Sequence, residues 1–412
     1  MDDNNLFDKE EVAWTIDGLK ATGLTFVSDT KSIGSEEQES YEPIFVYQFF
    51  GENETVFGYE GLNITLNYSD ATLYMHPVIQ YEKIYKEGDI EPDDVLKLLK
   101  EQMPRGEHVL IESQAEFQQL LSKQKLFKPY GELLAKIEAG ERKFQIHKVS
   151  ESSPEFDSYL ARIQTITLWY IEGAEYTDNE DEKWTHYLIY EVVPSIEGDG
   201  TMAYKFGGYA TVYNFYAYPE NVRPRIAQIL ILPQYRSTGL GPRFLESVFR
   251  DLRSNAAVID ITAEDPADGF IYLRDYIDSL NCLTLPEFAP DELRKGFDEK
   301  KSEAARKTFK ISSKQSRRVY EILRLRCTPQ SNKEEFKKYR LDVKRRIYLP
   351  MRKTENDWKK LNKLLAPEEI SQVAAVQLSP EQTHAQLQAM FEKTLEEYNK
   401  TLDRIEKYPT IF

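Results

Sequence analysis

Arg236-Ser237-Thr238-Gly239-Leu240-Gly241 is the stretch that decides the fold, because of what stands on either side of it. Before it runs Ile226-Ala227-Gln228-Ile229-Leu230-Ile231-Leu232, short, apolar and rich in β-branched residues, which predicts a buried strand. After it comes Pro242-Arg243-Phe244-Leu245-Glu246-Ser247-Val248-Phe249-Arg250, with Pro where a first helical turn tolerates it and apolar residues at helical spacing. A strand, a glycine loop and a helix together can hold a phosphate. Two glycines let the backbone come close, and unpaired N–H groups at the helix start face the anion. The loop has no Gly-x-x-x-x-Gly-Lys-Ser/Thr pattern and lacks the third glycine of a dinucleotide fingerprint.

A second signal lies downstream. Ala257-Val258-Ile259-Asp260-Ile261-Thr262 predicts another buried strand running into Ala263-Glu264-Asp265-Pro266. Pro266 forces Asp265 out of the helical region, so the strand should end there with two carboxylates at its tip.

The loop fits the Arg/Gln-x-x-Gly-x-Gly/Ala pattern of the GCN5-related N-acetyltransferases, whose loop wraps the pyrophosphate of coenzyme A. Most of the chain resembles one family among them, the catalytic subunit of type B histone acetyltransferase. The resemblance runs from about Phe45 to Arg346. It rests on Phe57 to Leu62, Leu168-Trp169-Tyr170-Ile171-Glu172, Tyr209 to Asn214, Arg223-Pro224-Arg225, Ile259 to Pro266, Arg318 to Leu325 and Tyr339 to Arg346. One departure is in the loop, where many relatives have Gln-Gly and this chain has Arg236-Ser237.

The resemblance implies an α+β fold: an acetyltransferase core of mixed sheet flanked by helices, an N-terminal α/β module and a C-terminal helical module. The expected divisions are 1–128, 129–269, 270–348 and a polar helical tail, 349–412. Strands are expected at Ile44 to Phe49, Leu62 to Leu66, His186 to Val193 and Met202 to Asn214. Helices are expected at Pro92 to Gln102, Ser153 to Glu172 and Pro242 to Leu252. Ser379 to Lys407 carries Leu387, Phe391, Leu395, Tyr398, Leu402 and Ile405 on one helical face, a stripe for a partner helix or for packing back on the body.

The implied reaction moves acetyl from acetyl-CoA directly to the side-chain amine of lysine. A free lysine is protonated at neutral pH, with a pKa of about 10.4, and an ammonium cannot attack a thioester. A carboxylate raised by apolar walls and a neighbouring carboxylate can take that proton. Glu264 is the expected principal base, with Asp265 and Glu172 assisting. The pantetheine arm is expected on the main-chain groups of Ile229, Leu230 and Ile231, and the pyrophosphate on Arg236, Ser237, Thr238, Gly239, Leu240, Gly241 and Pro242. In the family fold the strands ending near Leu232 and Thr262 splay apart to admit the arm. The family binds the amino-terminal tail of histone H4, with H3 alongside. Glu52, Asn53, Glu54, Trp184, Tyr213, Asn214 and Phe215 match its tail-contacting positions. Acidic residues attract a tail rich in Lys and Arg, and aromatic walls cover a lysine stem. The family also implies a WD-repeat histone-binding subunit and residence in cytoplasm and nucleus.

Composition sets the outer bounds. With 412 residues, 41% of them hydrophobic, the chain can build two or three domains with substantial cores. No apolar run approaches the roughly 18 residues of a membrane span, and the start Met1-Asp2-Asp3-Asn4-Asn5 is unlike a secretory signal. Cys282 and Cys327 give no disulfide framework, and the five His show no metal spacing, so no metal is expected. Net charge is −16. Arg294 to Lys360 holds 23 basic and 9 acidic residues, a surplus of +14, so the remainder carries −30. Such a body favours a cationic partner and disfavours direct nucleic acid contact. The basic stretch Lys337 to Lys353 is expected to be a solvated helix face in preference to an import signal or nucleic-acid contact, and could also meet an acidic histone-chaperone complex. Two rival functions keep the fold. One is acetylation of another protein or a small amine; the other is a non-catalytic histone-binding scaffold.

Overall fold

The computed structural model describes residues 14–31, 33–34, 38–86, 90–178, 180–195, 200–329, 331–361 and 379–412; the polar start Met1 to Asn5 and residues 362–378 of the tail lie outside them. The chain forms two compact units, Met1–Phe215 with Pro224–Asp251, and Tyr216–Arg223 with Leu252–Phe412.

The first unit begins with a three-stranded sheet. Strand β1 (Thr22–Val27) pairs in parallel with β2 (Asn63–Ser69), which pairs antiparallel with β3 (Met75–Gln80). The expected strand at Ile44 to Phe49 is instead an irregular segment ending in one helical turn, Tyr47–Phe50. Its alternating apolar pattern has a different cause. The N–H groups of Ile44 and Phe45 both donate to the Trp169 carbonyl, at 2.8 and 3.1 Å, satisfying a helix end rather than a neighbouring strand.

That helix, α1 (Pro154–Tyr170), starts where the sequence says it should. Ser153 caps it by accepting from the Phe156 N–H, Pro154 occupies the first turn, and Glu155 and Asp157 favour its positive end. It is buried on nearly every side, as an all-round apolar helix must be. Trp169 near its end stacks on Phe49, with ring centroids 3.7 Å apart, and donates to the Tyr68 hydroxyl at 3.3 Å.

The larger sheet places β4 (Glu132–Ala139), β5 (Arg142–Val149), β6 (Trp184–Pro194), β7 (Met202–Ala217) and β8 (Asn221–Ile231) side by side in that order. The β6–β7 register shifts at Ile189/Tyr190, where Gly207 is the extra residue of a bulge. Next to it Gly208 has φ +154, and a Cβ there would lie 2.2 Å from the Leu230 carbonyl oxygen. Only glycine lets β7 and β8 come this close. After β8 the chain makes a short turn, Pro233–Tyr235, and enters helix α2 (Leu240–Ser254). The helix therefore starts two residues earlier than expected, and Pro242 sits inside its first turn, where its missing N–H costs nothing.

The second unit is mainly helical. The expected strand from Ala257 to Thr262 shrinks to Thr262–Ala263, preceded by isolated parallel bridges Val222–Val258 and Ile261–Ile311. The apolar run changes partner every few residues instead of following one neighbour. Helices α3 (Asp268–Cys282), α4 (Glu299–Phe309), α5 (Ser313–Arg326), α6 (Lys333–Leu361) and α7 (Pro380–Lys407) follow. The stripe on α7 packs back on the body: Phe391, Tyr398, Leu402 and Ile405 are buried, with Leu387 and Leu395 half-buried. Glu321, wholly buried on α5, accepts from Arg317 and Arg346 at 2.9 Å and from the Tyr398 hydroxyl at 2.8 Å. Arg346 is thus an internal ion-pair partner. Tyr339, Val343 and Ile347 are buried on α6, while Leu341 faces solvent together with Lys337, Arg345 and Arg352. The basic stretch is therefore a helix with one packed face and one wet one.

Candidate active site

Two left-handed residues shape the glycine loop. Ser237 has φ +62 and Gly239 φ +86. Glycine adopts such angles freely, while Ser237 does so at a cost of about 1 kcal/mol. Ser237 stands where many relatives carry glycine, so the backbone form explains that preference. The loop is tied internally. The Thr238 hydroxyl donates to the Tyr235 carbonyl at 2.8 Å, and Arg243 Nη1 to the Gly239 carbonyl at 3.1 Å. The N–H groups of Leu240 and Gly241 open the helix and have no acceptor within it, which suits an anion.

Arg236 is partly spent on its own chain. Its Nε donates to the Ile231 carbonyl at 3.0 Å, and its guanidinium centre lies 4.9 Å over the Tyr170 ring. Burial lowers its pKa. Leu230 is buried, whereas Ile229 and Ile231 are half-buried at the end of β8.

Glu172 follows α1 directly and is exposed. Its segment is held on both sides: the Gly173 N–H donates to the Tyr47 hydroxyl at 2.8 Å, and Gln48 and Gln228 side chains reach the Ala174 and Glu175 carbonyls at 3.2 and 3.0 Å. Gln228 belongs to β8. The fold therefore ties the segment that follows Glu172, at Glu175, to the strand expected to hold the pantetheine arm.

Trp184, Tyr213 and Phe215 come together at one end of the β6–β7 pair. Tyr213 makes edge contacts with both, at 4.9 and 4.6 Å between ring centroids. Two cations already share these rings: Arg225 lies 4.5 Å over Phe215, and Lys183 5.8 Å over Tyr213. Asp181 accepts from the Tyr213 hydroxyl at 2.7 Å and from the Lys183 N–H at 3.0 Å, which holds its carboxyl below the usual range. Asn214 donates to the Lys183 carbonyl at 3.0 Å, so its side chain ties the two strands together. Glu52 and Asn53 are exposed in the turn before strand Thr55–Phe57. Glu54 has φ +55, and its carboxylate accepts from the Val46 N–H at 3.4 Å, so it also serves the turn.

Glu264 and Asp265 belong to the second unit. The platform below them is firm. Arg223 grips Asp260 with two bonds, 2.6 and 3.2 Å, while the Ile261 N–H donates to Lys310 and its carbonyl accepts from Arg274 at 2.7 Å. The chain then turns, with Asp265 at φ +27 ahead of Pro266. Both carboxylates are exposed, so the apolar walls expected around the base are not supplied by their own unit. Sequence reasoning missed Tyr170, Lys183, Arg225 and Gln228 as parts of these clusters. Tyr170 and Arg225 were visible inside the matched motifs; Lys183 and Gln228 gave no signal of their own.

A family model described as "Histone acetyl transferase HAT1 N-terminus" matches residues 14–172, and one described as "Histone acetyltransferase type B catalytic subunit, C-terminal" matches 274–325. The histone acetyltransferase type B catalytic subunit of Mus musculus is 37% identical over 375 residues, which cover 89% of this chain and 88% of that protein. The Homo sapiens protein of the same name gives the same values. One from Dictyostelium discoideum is 30% identical over 368 residues, covering 83% of this chain and 76% of that protein. A solved aminoglycoside acetyltransferase from a soil metagenome aligns with 35% of this chain at 14% identity and a TM-score of 0.23, and adds nothing to the assignment.

Proposed function

Since the chain belongs to the family of histone acetyltransferase type B catalytic subunits, an acetyltransferase family that uses acetyl-CoA, we propose that it acetylates lysine side chains in the amino-terminal tail of newly made histone H4. The observation that carries the reading is the loop between β8 and α2, in which Ser237 and Gly239 are left-handed and the N–H groups at the helix start suit an anion. Arg236 to Pro242 would hold the pyrophosphate, and Ile229, Leu230 and Ile231 the pantetheine arm. Bound acetyl-CoA supplies an activated acetyl thioester.

The chain's own residues do the rest. Glu264 accepts the proton of the lysine ammonium, directly or through water, with Asp265 and Glu172 assisting. Both Glu264 and Glu172 are exposed and so open to solvent. Glu52, Asn53, Trp184, Tyr213 and Phe215 receive the tail, and Glu54 and Asn214 shape the turn and strand that present them. A WD-repeat histone-binding subunit, with H3 beside H4, completes the proposed assembly in cytoplasm and nucleus. Mass spectrometry of H4 incubated with the chain and acetyl-CoA tests the reading. Acetyl groups on tail lysines are expected; acetylation of free amines with an untouched H4 tail would overturn it.

A further inference from the structure

Tyr170 closes α1 with its side chain almost wholly buried, and its hydroxyl finds no hydrogen-bond partner among the described residues. A buried hydroxyl without a partner is costly, and in a native fold it calls for an explanation. Over the same ring lies Arg236, with its guanidinium 4.9 Å from the ring centroid. The same side chain binds the Ile231 carbonyl at 3.0 Å. One residue therefore spans three features: the first position of the anion loop, a backbone acceptor of the pantetheine strand, and an orphaned phenol. Only one of the guanidinium's five N–H donors is used in the Ile231 bond. An exposed arginine with donors to spare turns readily toward a phosphate, which it can grip with two of them.

We propose that Arg236 is a latch, closed over Tyr170 in the free chain and drawn open by the phosphates of coenzyme A, so that the Ile231 carbonyl and the Tyr170 hydroxyl pass to the pantetheine arm. Arg236 and Tyr170 are then positioning residues for the acetyl donor. The inference rests on the reading of the loop as a coenzyme A site. It adds that the phosphate end of the ligand prepares the site for the thiol end. A ligand with phosphates opens the latch with its own ion pair. A ligand without them must break the Arg236–Ile231 bond and offers the guanidinium no new partner, so its apparent affinity is reduced by the fraction of chain that is open.

The test uses two probes, coenzyme A and pantetheine, titrated by calorimetry into the full chain and into Arg236→Ala. The variant should bind coenzyme A at least fivefold more weakly and pantetheine at least threefold more tightly. Opposite signs are the signature of a latch. Weaker or unchanged pantetheine binding in the variant, with normal coenzyme A binding by wild type, overturns the latch and leaves the loop reading standing. Wild type that binds no coenzyme A overturns both. Tyr170→Phe should melt at a higher temperature without ligand, because an unpaired hydroxyl is gone, and should bind coenzyme A several-fold more weakly. Unchanged melting and unchanged affinity together remove Tyr170 from the proposal.

Discussion

Gly208 faces the carbonyl oxygen of Leu230 so closely that a methyl group on its α-carbon would lie 2.2 Å away. The strand expected to hold the acetyl donor is thus set in place by a missing side chain on its neighbour. Gly208→Ala must push β8 outward or twist β7, at a cost of roughly 1–3 kcal/mol for overpacking alone. Acetyl-CoA affinity should fall at least tenfold. Gly207→Ala is the milder comparison, since its added carbon would lie 3.3 Å from the Ile189 carbonyl oxygen, a tight contact relieved by a shift of a few tenths of an ångström. Equal effects of the two substitutions on calorimetric affinity would disprove the role of this contact.

The loop should respond to backbone form more than to charge. Gly239→Val introduces a β-branched residue at φ +86 and should abolish acetyl-CoA binding in a folded variant. Ser237→Gly relieves a non-glycine residue at φ +62 and should leave binding within about twofold and stability within about 1 kcal/mol. Calorimetry and thermal melting read both. A Gly239→Val variant with wild-type affinity removes the loop from the site.

Glu264→Gln keeps size and most hydrogen bonding but takes no proton. Turnover should drop roughly ten- to ten-thousand-fold, the range for a lost general base, while both substrates still bind. Activity should partly return at high pH, where more lysine is already deprotonated. Asp265→Asn and Glu172→Gln should cost less singly and combine non-additively with it. Should Glu172→Gln alone abolish turnover, the principal role passes to Glu172.

Glu52 is the cleaner acidic probe of the tail surface, because Glu54 also supports its own turn. Glu52→Lys should raise KM for an H4 peptide and leave KM for acetyl-CoA near wild type. Wild-type KM for the peptide should climb with salt, since exposed charges are screened over about 8–10 Å. A salt-independent KM counts against this surface.

His186 lies between Phe156 and Trp184, and burial pushes its pKa down to about 4. The unfolded chain takes up this proton below about 6.5, the folded chain only near 4. Stability therefore falls as pH drops through that window, by roughly 2–3 kcal/mol from this group, and is unaffected above it. His186→Phe should flatten the acid limb of a denaturation curve across that same window. Parallel curves for the two proteins would assign the acid loss elsewhere.

What the sequence revealed depended on how local the signal was. The loop was legible because left-handed turns select Gly and a helix start tolerates Pro, both read from single positions. Helix α1 was legible from Ser153, Pro154 and its apolar run. The segment Ile44 to Phe49 was misread because its backbone donors go to Trp169, more than a hundred residues away. Ala257 to Thr262 looked like one strand because burial, not pairing, makes it apolar. The exposure of Glu264 was hidden for the same reason: residue type and order do not say which walls stand around a carboxylate.

The buried carboxylate of Glu321 also sets a timetable for synthesis. Besides Arg317 on its own helix, its partners Arg346 and Tyr398 lie on α6 and α7, which follow α5 in the chain. On the ribosome, α5 emerges while α7 is still unmade. Until Tyr398 clears the exit tunnel, a buried Glu321 keeps its arginine partners but lacks one hydrogen-bond donor, which costs about 1–3 kcal/mol in a protein interior. The helices around Glu321 therefore reach their final packing only after α7 has been made.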